Sequence, residues 1–301
     1  MSVRDRDSGK IEAVASGDGG LLTILCGGGA FPGAVAEAVQ RRGRRVVLFG
    51  IRGFAEPAIV ERYPHEWVYL GAAGRFLKLL RQHGSRELVL VGSVHRPRLT
   101  EIRIDWTTLR ELRRYLQAER RGDDHLLSFF ATELERAGYR VRGAHEVAPE
   151  ILMPAGVLGR HRPGPAEEGE IRLGRQTIAA LGPLDVGQSA VVVGGRVVAI
   201  EAAEGTAAML ERVAGLRASG RLHAGRRAGV LVKAPKAGQD RRIDLPAIGA
   251  ETVRQAAAAG LAGIAVEGGG VIAADPQGLV RAADEAGLFV LGFEPGAGPK
   301  S

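Results

Sequence analysis

From Leu21 onward, short apolar runs alternate with amphipathic stretches. The runs LLTILC, RRVVLFGI and ELVLVG are separated by AFPGAVAEAVQRRG and by a stretch around RFLKLLRQHG, where apolar residues recur at helical spacing. Such alternation is typical of a parallel sheet with crossover helices. Two more stretches with helical spacing follow, RELRRYLQAERRG and DDHLLSFFATELERAGY. The pattern therefore predicts an α/β domain that spans residues 21–150.

A segment rich in proline and glycine follows this domain. Its composition disfavours the interiors of helices and strands, so we predict a linker over residues 151–168. The 20 residues at the start mix charges with Gly and Ser and lack the apolar core of a secretory signal, and we predict that 1–20 is a disordered extension. Residues 295–301 are predicted to be a loose tail.

Residues 169–294 have the pattern of a second α/β domain that opens differently from the first. Two β-branched runs flank Gly194-Gly195, which predicts a hairpin with a two-residue turn. Alternating helices and strands follow, in which AGIAVEGGGVIAA is predicted to be a strand pair and LFVLGF a closing strand.

Composition and charge narrow the classes of function. No apolar stretch approaches the roughly 18 residues of a membrane-spanning helix. A single cysteine, Cys26, allows no intrachain disulfide, favours a reducing cytoplasm and is expected to be a buried residue at a strand end. The net charge of +7 favours phosphates, anionic lipid surfaces or nucleic acid. Because the arginines are scattered and only 5% of residues are aromatic, nucleic-acid binding is the least favoured of these.

Two glycine-containing loops follow predicted strands in the first domain. Gly27, Gly28 and Gly29 precede a helix, where backbone amides and the helix dipole can bind phosphate. Pro32 stands where the dinucleotide fingerprint needs a small residue, and the next strand ends without a ribose-binding acid, which argues against a nicotinamide cofactor. A structural turn is an equally good interpretation. In GSVHRP, Ser93 and Arg96 can bind phosphate, and a solvated turn capped by Ser93 is the alternative.

Acidic residues in both domains suit a hard cation. Asp123 and Asp124 open a predicted helix, so they either cap it or hold Mg²⁺, which needs few protein oxygens when a substrate phosphate completes its shell. His145-Glu146 at a strand end can contribute or form a surface pair.

The second domain supplies a further set of polar residues. Asp185 and Gln188 precede the predicted hairpin, and Glu204-Gly205-Thr206 follows it, although turn chemistry and helix capping also explain them. Lys233 and Lys236 leave a strand end, and Gln239 and Asp244 lie in the same loop. Lysines can neutralise a diphosphate, and a carboxylate can hold Mg²⁺ or orient a water. Asp244-Leu245-Pro246 also has the pattern of a capped helix start.

Ten segments, taken in order, resemble the motifs of LpxI-type UDP-2,3-diacylglucosamine hydrolases of lipid A synthesis. The resemblance extends from about Leu21 to Phe293. The segments are CGGGAFP, GSVHRP, RRGDDHLL, GAHEV, LDVGQSAVV, EAAEGTAAMLERV, LVKAPK, QDRRIDLPAIG, AGLAGIAVEGG and GLFVLGF.

The resemblance implies an α/β fold with a Rossmann-like N-terminal domain, a distinct C-terminal α/β domain, and the substrate held between them. It also implies hydrolysis of the pyrophosphate of UDP-2,3-diacylglucosamine to UMP and 2,3-diacylglucosamine 1-phosphate with Mg²⁺ or Mn²⁺. Water is expected to attack the phosphorus nearer the sugar.

Carried over by motif, Asp244 is the expected catalytic residue and, with Asp123 and Asp124, the expected metal site. The residues expected to bind substrate are Gly28, Gly29, Ser93, Arg96, Asp185, Gln188, Glu204, Gly205, Thr206, Lys233 and Lys236. Phe31 departs from the family pattern, which has a smaller apolar residue there.

The basic charge fits a protein that works at the cytoplasmic face of the inner membrane, where its amphiphilic substrate lies, and a homodimer is plausible. Two other classes stay open at this point. A non-catalytic nucleotide-sugar binding protein would use the same glycine loop and lysines without turnover. A nucleic-acid binder would show DNA affinity that falls steeply with salt.

Overall fold

The computed structural model describes residues 20–94, 105, 123–222, 225, 227–236, 240–243 and 245–295. Within these ranges, two separate sheets organise the chain. Each has its own buried clusters of apolar side chains.

The first sheet has five strands, all parallel, in the order β3-β2-β1-β4-β5. This is the order of a doubly wound Rossmann-like sheet. The strands are β1 Leu22–Cys26, β2 Val46–Ile51, β3 His65–Val68, β4 Glu87–Val91 and β5 Arg140–Arg142. The sequence pattern did not predict strand β3, because its segment, HEWV, has two polar residues and is mostly only half-buried.

Helices cover both faces of this sheet, which is why β1, β2 and β4 are almost entirely apolar. The helices are α1 Phe31–Arg41, α2 Pro57–Val60, α3 Ala73–Gln82, α4 Asp123–Arg136 and α5 Ala144–Val147. One face packs against the buried stripe of α1, which includes Val35 and Val39, and the other packs against Phe76 and Leu80 of α3 and Leu134 of α4.

The second sheet has six strands in the order β6-β13-β11-β9-β7-β8. Its three central strands β9, β11 and β13 are parallel, and β6, β7 and β8 run antiparallel to their neighbours. The strands are β6 Gly156–Leu158, β7 Ser189–Val193, β8 Arg196–Ile200, β9 Val230–Lys233, β11 Gly263–Glu267 and β13 Phe289–Phe293. The predicted hairpin is confirmed, since Gly194 and Gly195 connect β7 to β8 with φ of +60° and +70°.

Four helices cover this sheet on its two faces. They are α6 Pro165–Leu181, α7 Gly205–Ala218, α8 Ala250–Ala258 and α9 Pro276–Ala286. Ile171 and Ile178 of α6 pack on one face, and the other three helices pack on the opposite face. The prediction of a Rossmann-like domain followed by a distinct α/β domain is therefore confirmed.

Two local predictions differ from the structure. The segment predicted as a linker, 151–168, contains strand β6 and the first turn of α6, because Pro165 at the start of a helix forfeits no helical hydrogen bond. The predicted strand pair in AGIAVEGGGVIAA was wrong, since Ile272–Ala273 (β12) does not pair with β11. It pairs in parallel with Ala247–Ile248 (β10) to form a separate two-stranded sheet.

The small β10–β12 sheet joins the two domains. Ile272 is buried in the apolar cluster under α1, and Leu152 forms an isolated bridge with it. Leu245 and Ala247 pack against the same cluster, and Ile243 packs against the cluster on the opposite face of the first sheet. A segment of the second domain is thus held by the core of the first.

Cys26 is fully buried at the end of β1, as expected. Burial raises the pKa of its thiol to about 12, so it is a core residue and not a nucleophile. None of the helices in the described ranges is long and apolar enough to cross a membrane.

Two helical glycines provide a test of this packing. A Cβ atom at Gly174 of α6 would lie 2.5 Å from a Cγ atom of Val232 in β9, whereas one at Gly215 of α7 would meet nothing within 4 Å. We expect Gly174→Ala to lower the free energy of unfolding by about 1–2 kcal/mol through overpacking. Gly215→Ala should raise it by up to about 1 kcal/mol through helix propensity. Urea denaturation measures both, and shifts of the same sign would contradict the described contact between α6 and β9.

Candidate functional site

The carboxyl ends of β1 and β4 form the switch point of the first sheet. Gly27, Gly28 and Gly29 follow β1, and Gly92 and Ser93 follow β4. The chain leaves these neighbouring strands toward opposite faces of the sheet, which opens a crevice where ligands bind in folds of this type. The structure therefore brings three predicted site residues, Gly28, Gly29 and Ser93, to one place.

The two loops are joined by backbone hydrogen bonds. The amide of Gly28 donates to the Ser93 carbonyl (2.8 Å), the amide of Ser93 donates to the Gly28 carbonyl (3.1 Å), and the amide of Gly27 donates to the Val91 carbonyl (2.8 Å). The amides of Gly27 and Gly28 are thus engaged by the strand and loop beside them. That the glycine loop binds phosphate stays a prediction. A Cβ at Gly27 would lie 2.6 Å from the Ser93 carbonyl oxygen, so glycine permits the loops to meet. Gly29 has a φ of +88°.

A cavity of about 250 Å³ lies in this crevice. Phe31 forms part of its wall beside the glycine loop. Both domains contribute to the lining. The residues are Gly28, Gly29, Phe31, Leu90, Val91, Gly92, Ser93 and Ala144 from the first domain and Arg241, Arg242, Ile243, Leu245, Ala247 and Ile272 from the second.

Several predicted site residues lie outside the described residues. Asp244 is one of them, although Ile243 and Leu245, its neighbours in sequence, line the cavity. Arg96 is another. The backbone of Asp123 and Asp124 begins α4, as predicted, but their side chains are not among those described.

Two arginines hold the segment before Asp244 in place. Arg242 binds the carboxylate of Asp240 through two side-chain nitrogens (3.0 and 2.8 Å) and donates to Glu135 of α4 (2.6 Å). The hydrogen bonds from Arg242 hold the pKa of Asp240 below its usual range, and Asp240 raises the pKa of Arg242. Arg241 pairs with Glu267 at the end of β11 (2.9 Å). The segment is thus attached to both domains by charge as well as by apolar contacts.

A second polar group lies at the carboxyl end of β9. The buried Lys233 ammonium donates to the Thr206 hydroxyl (2.7 Å) and lies 3.8 Å from Glu201 Oε2. Thr206 in turn donates to Glu201 Oε1 (2.9 Å). This places two predicted site residues, Lys233 and Thr206, in contact at the N-terminus of α7. Glu201 was missed, because nothing in its sequence context distinguishes it from Glu204.

The remaining predicted residues of this domain surround that group. Glu204 pairs with Arg212 of α7 (3.0 Å) rather than with a lysine, and Gly205 provides a φ of +81° at the helix start. Lys236 pairs with Asp185, a left-handed residue with φ of +54°. The carbonyl of Gln188 accepts from the amide of Ala234 (3.0 Å).

In the first domain, His145 and Glu146 lie in α5 and not at a strand end.

The described side chains limit where a metal ion can bind. They contain no group of three or more His, Cys, Asp or Glu residues suited to hold one. The carboxylates of Asp240, Glu135 and Glu267 near the cavity are engaged by Arg241 and Arg242. The metal role expected of Asp123, Asp124 and Asp244 stays a prediction, since their side chains lie outside those described.

Comparison with known proteins assigns both halves of the chain. Residues 21–151 match the family model described as the LpxI N-terminal domain, and residues 154–291 match the model described as the LpxI C-terminal domain.

The chain belongs to the LpxI family.

A curated relative from Caulobacter vibrioides carries the name UDP-2,3-diacylglucosamine pyrophosphatase LpxI. It is 42% identical over 274 residues, which cover 91% of this chain and 98% of the relative. The two LpxI models meet between residues 151 and 154, beside the Leu152–Ile272 bridge. The residues that line the cavity fall within both matched ranges.

The ion pairs of Arg242 yield a prediction for this LpxI-family chain. Arg242→Ala should speed amide hydrogen exchange in 240–247, because the segment loses its charged contacts with Asp240 and Glu135. Global stability should change by only about 0–1 kcal/mol, since the pairs are partly exposed.

Arg254→Ala is the matched control, since its pair with Glu251 is exposed and lies within α8, outside the segment 240–247. Hydrogen–deuterium exchange read by mass spectrometry makes the comparison. Equal exchange of 240–247 in wild type and Arg242→Ala would show that the apolar contacts alone hold the segment.

Proposed function

We propose that the chain hydrolyses the pyrophosphate bond of UDP-2,3-diacylglucosamine, giving UMP and 2,3-diacylglucosamine 1-phosphate for lipid A synthesis. The name of the 42% identical relative supports this activity, and the alignment covers nearly all of that relative. The structural observation that carries the proposal is the cavity at the β1–β4 switch point. Ile243 and Leu245, which flank Asp244 in sequence, are among the residues that line it.

The described residues suit the binding of a diphosphate between the domains. Arg241 and Arg242 present positive charge on the cavity wall. Lys233, which is not part of the cavity lining, provides a second positive charge at the end of β9 near the N-terminus of α7. Cations and helix N-termini stabilise phosphate oxygens, most strongly where water is excluded. Each of these cations contacts a carboxylate, so most of its positive charge is balanced within the protein.

Mg²⁺ or Mn²⁺ is part of the proposal, with Asp244 and the pair Asp123 and Asp124 as its holders. When bound, such an ion neutralises charge on the phosphate oxygens and polarises the phosphorus–oxygen bonds. Asp244 orients the attacking water. The water oxygen bonds to the phosphorus nearer the sugar, the bond to the bridging oxygen breaks, UMP leaves with that oxygen, and a proton is released.

Replacement of Asp244 tests the site. We expect Asp244→Asn to lower the rate of UMP release by about 100-fold or more, because removal of a positioned acid–base group typically costs that much. Chelation of divalent ions should abolish release by the wild type. Mn²⁺ binding, followed by electron paramagnetic resonance, should weaken in Asp244→Asn, which reads the metal site independently of turnover.

Glu251→Gln is the control, since this exposed carboxylate lies on α8 and does not line the cavity. Its rate should equal that of the wild type. If the wild type binds UDP-sugars but releases no UMP with any divalent metal, the chain is instead a nucleotide-sugar binding protein.

We also propose that the protein associates with the cytoplasmic face of the inner membrane. Its net charge of +7 supports this, since each Lys or Arg near an anionic surface adds about 1 kcal/mol. Co-sedimentation with vesicles should be strong for phosphatidylglycerol, weak for phosphatidylcholine and lost in high salt. Equal binding to both lipids would contradict an electrostatic mode. A homodimer stays a prediction that light scattering can check.

A further inference from the structure

Four polar residues meet where β7, β8 and β9 approach the start of α7. Ser189 is the register partner of Lys233 in the antiparallel β7–β9 pair, so their side chains point to the same face of the sheet. Glu201 follows β8, and its amide donates to the Ser189 carbonyl (2.9 Å). Thr206 contacts both Lys233 and Glu201. We call these four residues the β9 polar cluster.

The β9 polar cluster is only partly satisfied. Lys233, Thr206 and Glu201 Oε1 are linked by hydrogen bonds. The Ser189 hydroxyl and Glu201 Oε2 are both buried and have no hydrogen-bond partner among the described residues, and Ser189 is only 1% exposed. Unsatisfied buried polar atoms are rare in folded proteins because each has lost its contact with water.

A purely structural role accounts for part of the cluster. A buried ion pair between Lys233 and Glu201, bridged by Thr206, would anchor α7 to the sheet. This role needs neither the Ser189 hydroxyl nor a hydrogen-bonding position on Glu201 Oε2. Alanine at 189 and an amide at 201 would then serve equally well.

The neighbouring backbone leaves little room for adjustment. Gly187 lies so close to the Glu201 carbonyl that a Cβ atom there would overlap it. The segment that leads into Ser189 is therefore fixed against Glu201. The two unsatisfied atoms are held beside Lys233 by this backbone contact and by the register of β7 and β9.

We propose that Glu201 and Ser189 bind a hydroxyl group of a sugar whose phosphate is held by Lys233 and the N-terminus of α7. A hydroxyl can donate to Glu201 Oε2 and accept from Ser189 Oγ, which satisfies both atoms. The ligand class is a phosphorylated sugar or a nucleoside phosphate. This assignment rests on the proposed function, whose substrate carries two such sugars, a ribose and a glucosamine.

The arrangement gives Glu201 a role in specificity. A carboxylate beside Lys233 weakens the binding of a bare anion, because it repels the charge that Lys233 attracts. A ligand with a hydroxyl near its phosphate recovers the loss through the bond to Glu201. A site built to hydrogen-bond a hydroxyl discriminates strongly against ligands that lack it.

Isothermal titration calorimetry of the full chain tests the assignment with three probes: inorganic phosphate, glucosamine 1-phosphate and UMP. For Glu201→Gln we expect affinity for one sugar phosphate to fall by about 10-fold, since a charge-assisted hydrogen bond becomes a neutral one. Affinity for inorganic phosphate should stay equal or rise. Ser189→Ala should weaken the same sugar phosphate by several-fold and leave inorganic phosphate unchanged.

The probe that responds identifies the source of the hydroxyl, glucosamine or ribose. Glu251→Gln and Ser219→Ala are matched controls in the same domain, because Glu251 is exposed on α8 and Ser219 is exposed just after the end of α7. Thermal melting of each variant checks that it is folded. If Glu201→Gln does not fold, Ser189→Ala decides the question alone.

Three results would overturn the inference: equal weakening of all three probes by Glu201→Gln, wild-type affinities in both variants, or no binding of either sugar phosphate to the wild type. The first would mean that Glu201 only positions Lys233. These measurements involve no turnover. If the wild type releases no UMP from the lipid nucleotide, the proposed function is contradicted, but the change in sugar-phosphate affinity can still be measured.

Discussion

The packing of the β10–β12 sheet against the first domain connects the two domains at the candidate site. Ile272 and Ala247 belong to the second domain by sequence, yet they pack against the core beneath α1. This burial removes apolar surface of both domains from water and fixes their relative position near the crevice. The cavity wall, the arginine pairs and the segment that leads to Asp244 all depend on it.

Charge at the site follows a consistent rule among the described residues. The cations Lys233, Lys236, Arg241 and Arg242 each contact a carboxylate. Burying or crowding positive charge without a partner is costly, so the fold supplies partners within its own chain. A diphosphate entering this region would meet cations already held in fixed orientations, which lowers the cost of organising them around the ligand. The basic character of the whole chain is thus locally balanced where binding is proposed.

Much of the fold was predictable because its signals are local. The apolar runs of β1, β2 and β4, the stripes of α1 and α3 and the Gly194-Gly195 turn depend on a few neighbouring residues. Strands β3, β6 and β12 depend instead on partners distant in sequence, and they were missed or paired wrongly.

The site shows the same division between local and distant signals. Sequence motifs correctly singled out residues that lie at strand ends. Gly28 and Ser93 lie at the ends of β1 and β4, and Lys233 lies at the end of β9 with Thr206 beside it. The amides of Gly27 and Gly28, however, proved to be occupied by the loop after β4. Glu201 and Ser189 lie within two of the motif segments, but their sequence context does not single them out. Only the pairing of β7 with β9 places Ser189 beside Lys233, and only the folded chain brings Glu201 to the same lysine.

The apolar contacts between the two domains also affect how a protein with this architecture can evolve. A copy of residues 21–151 inherited alone would expose the surface that Ile272, Leu245 and Ala247 cover. The remainder, without its neighbour, would present those side chains to water. Gene fission at the boundary near residue 152 would therefore produce two fragments that each expose an apolar surface and tend to aggregate. We expect the two halves to be inherited together as one unit.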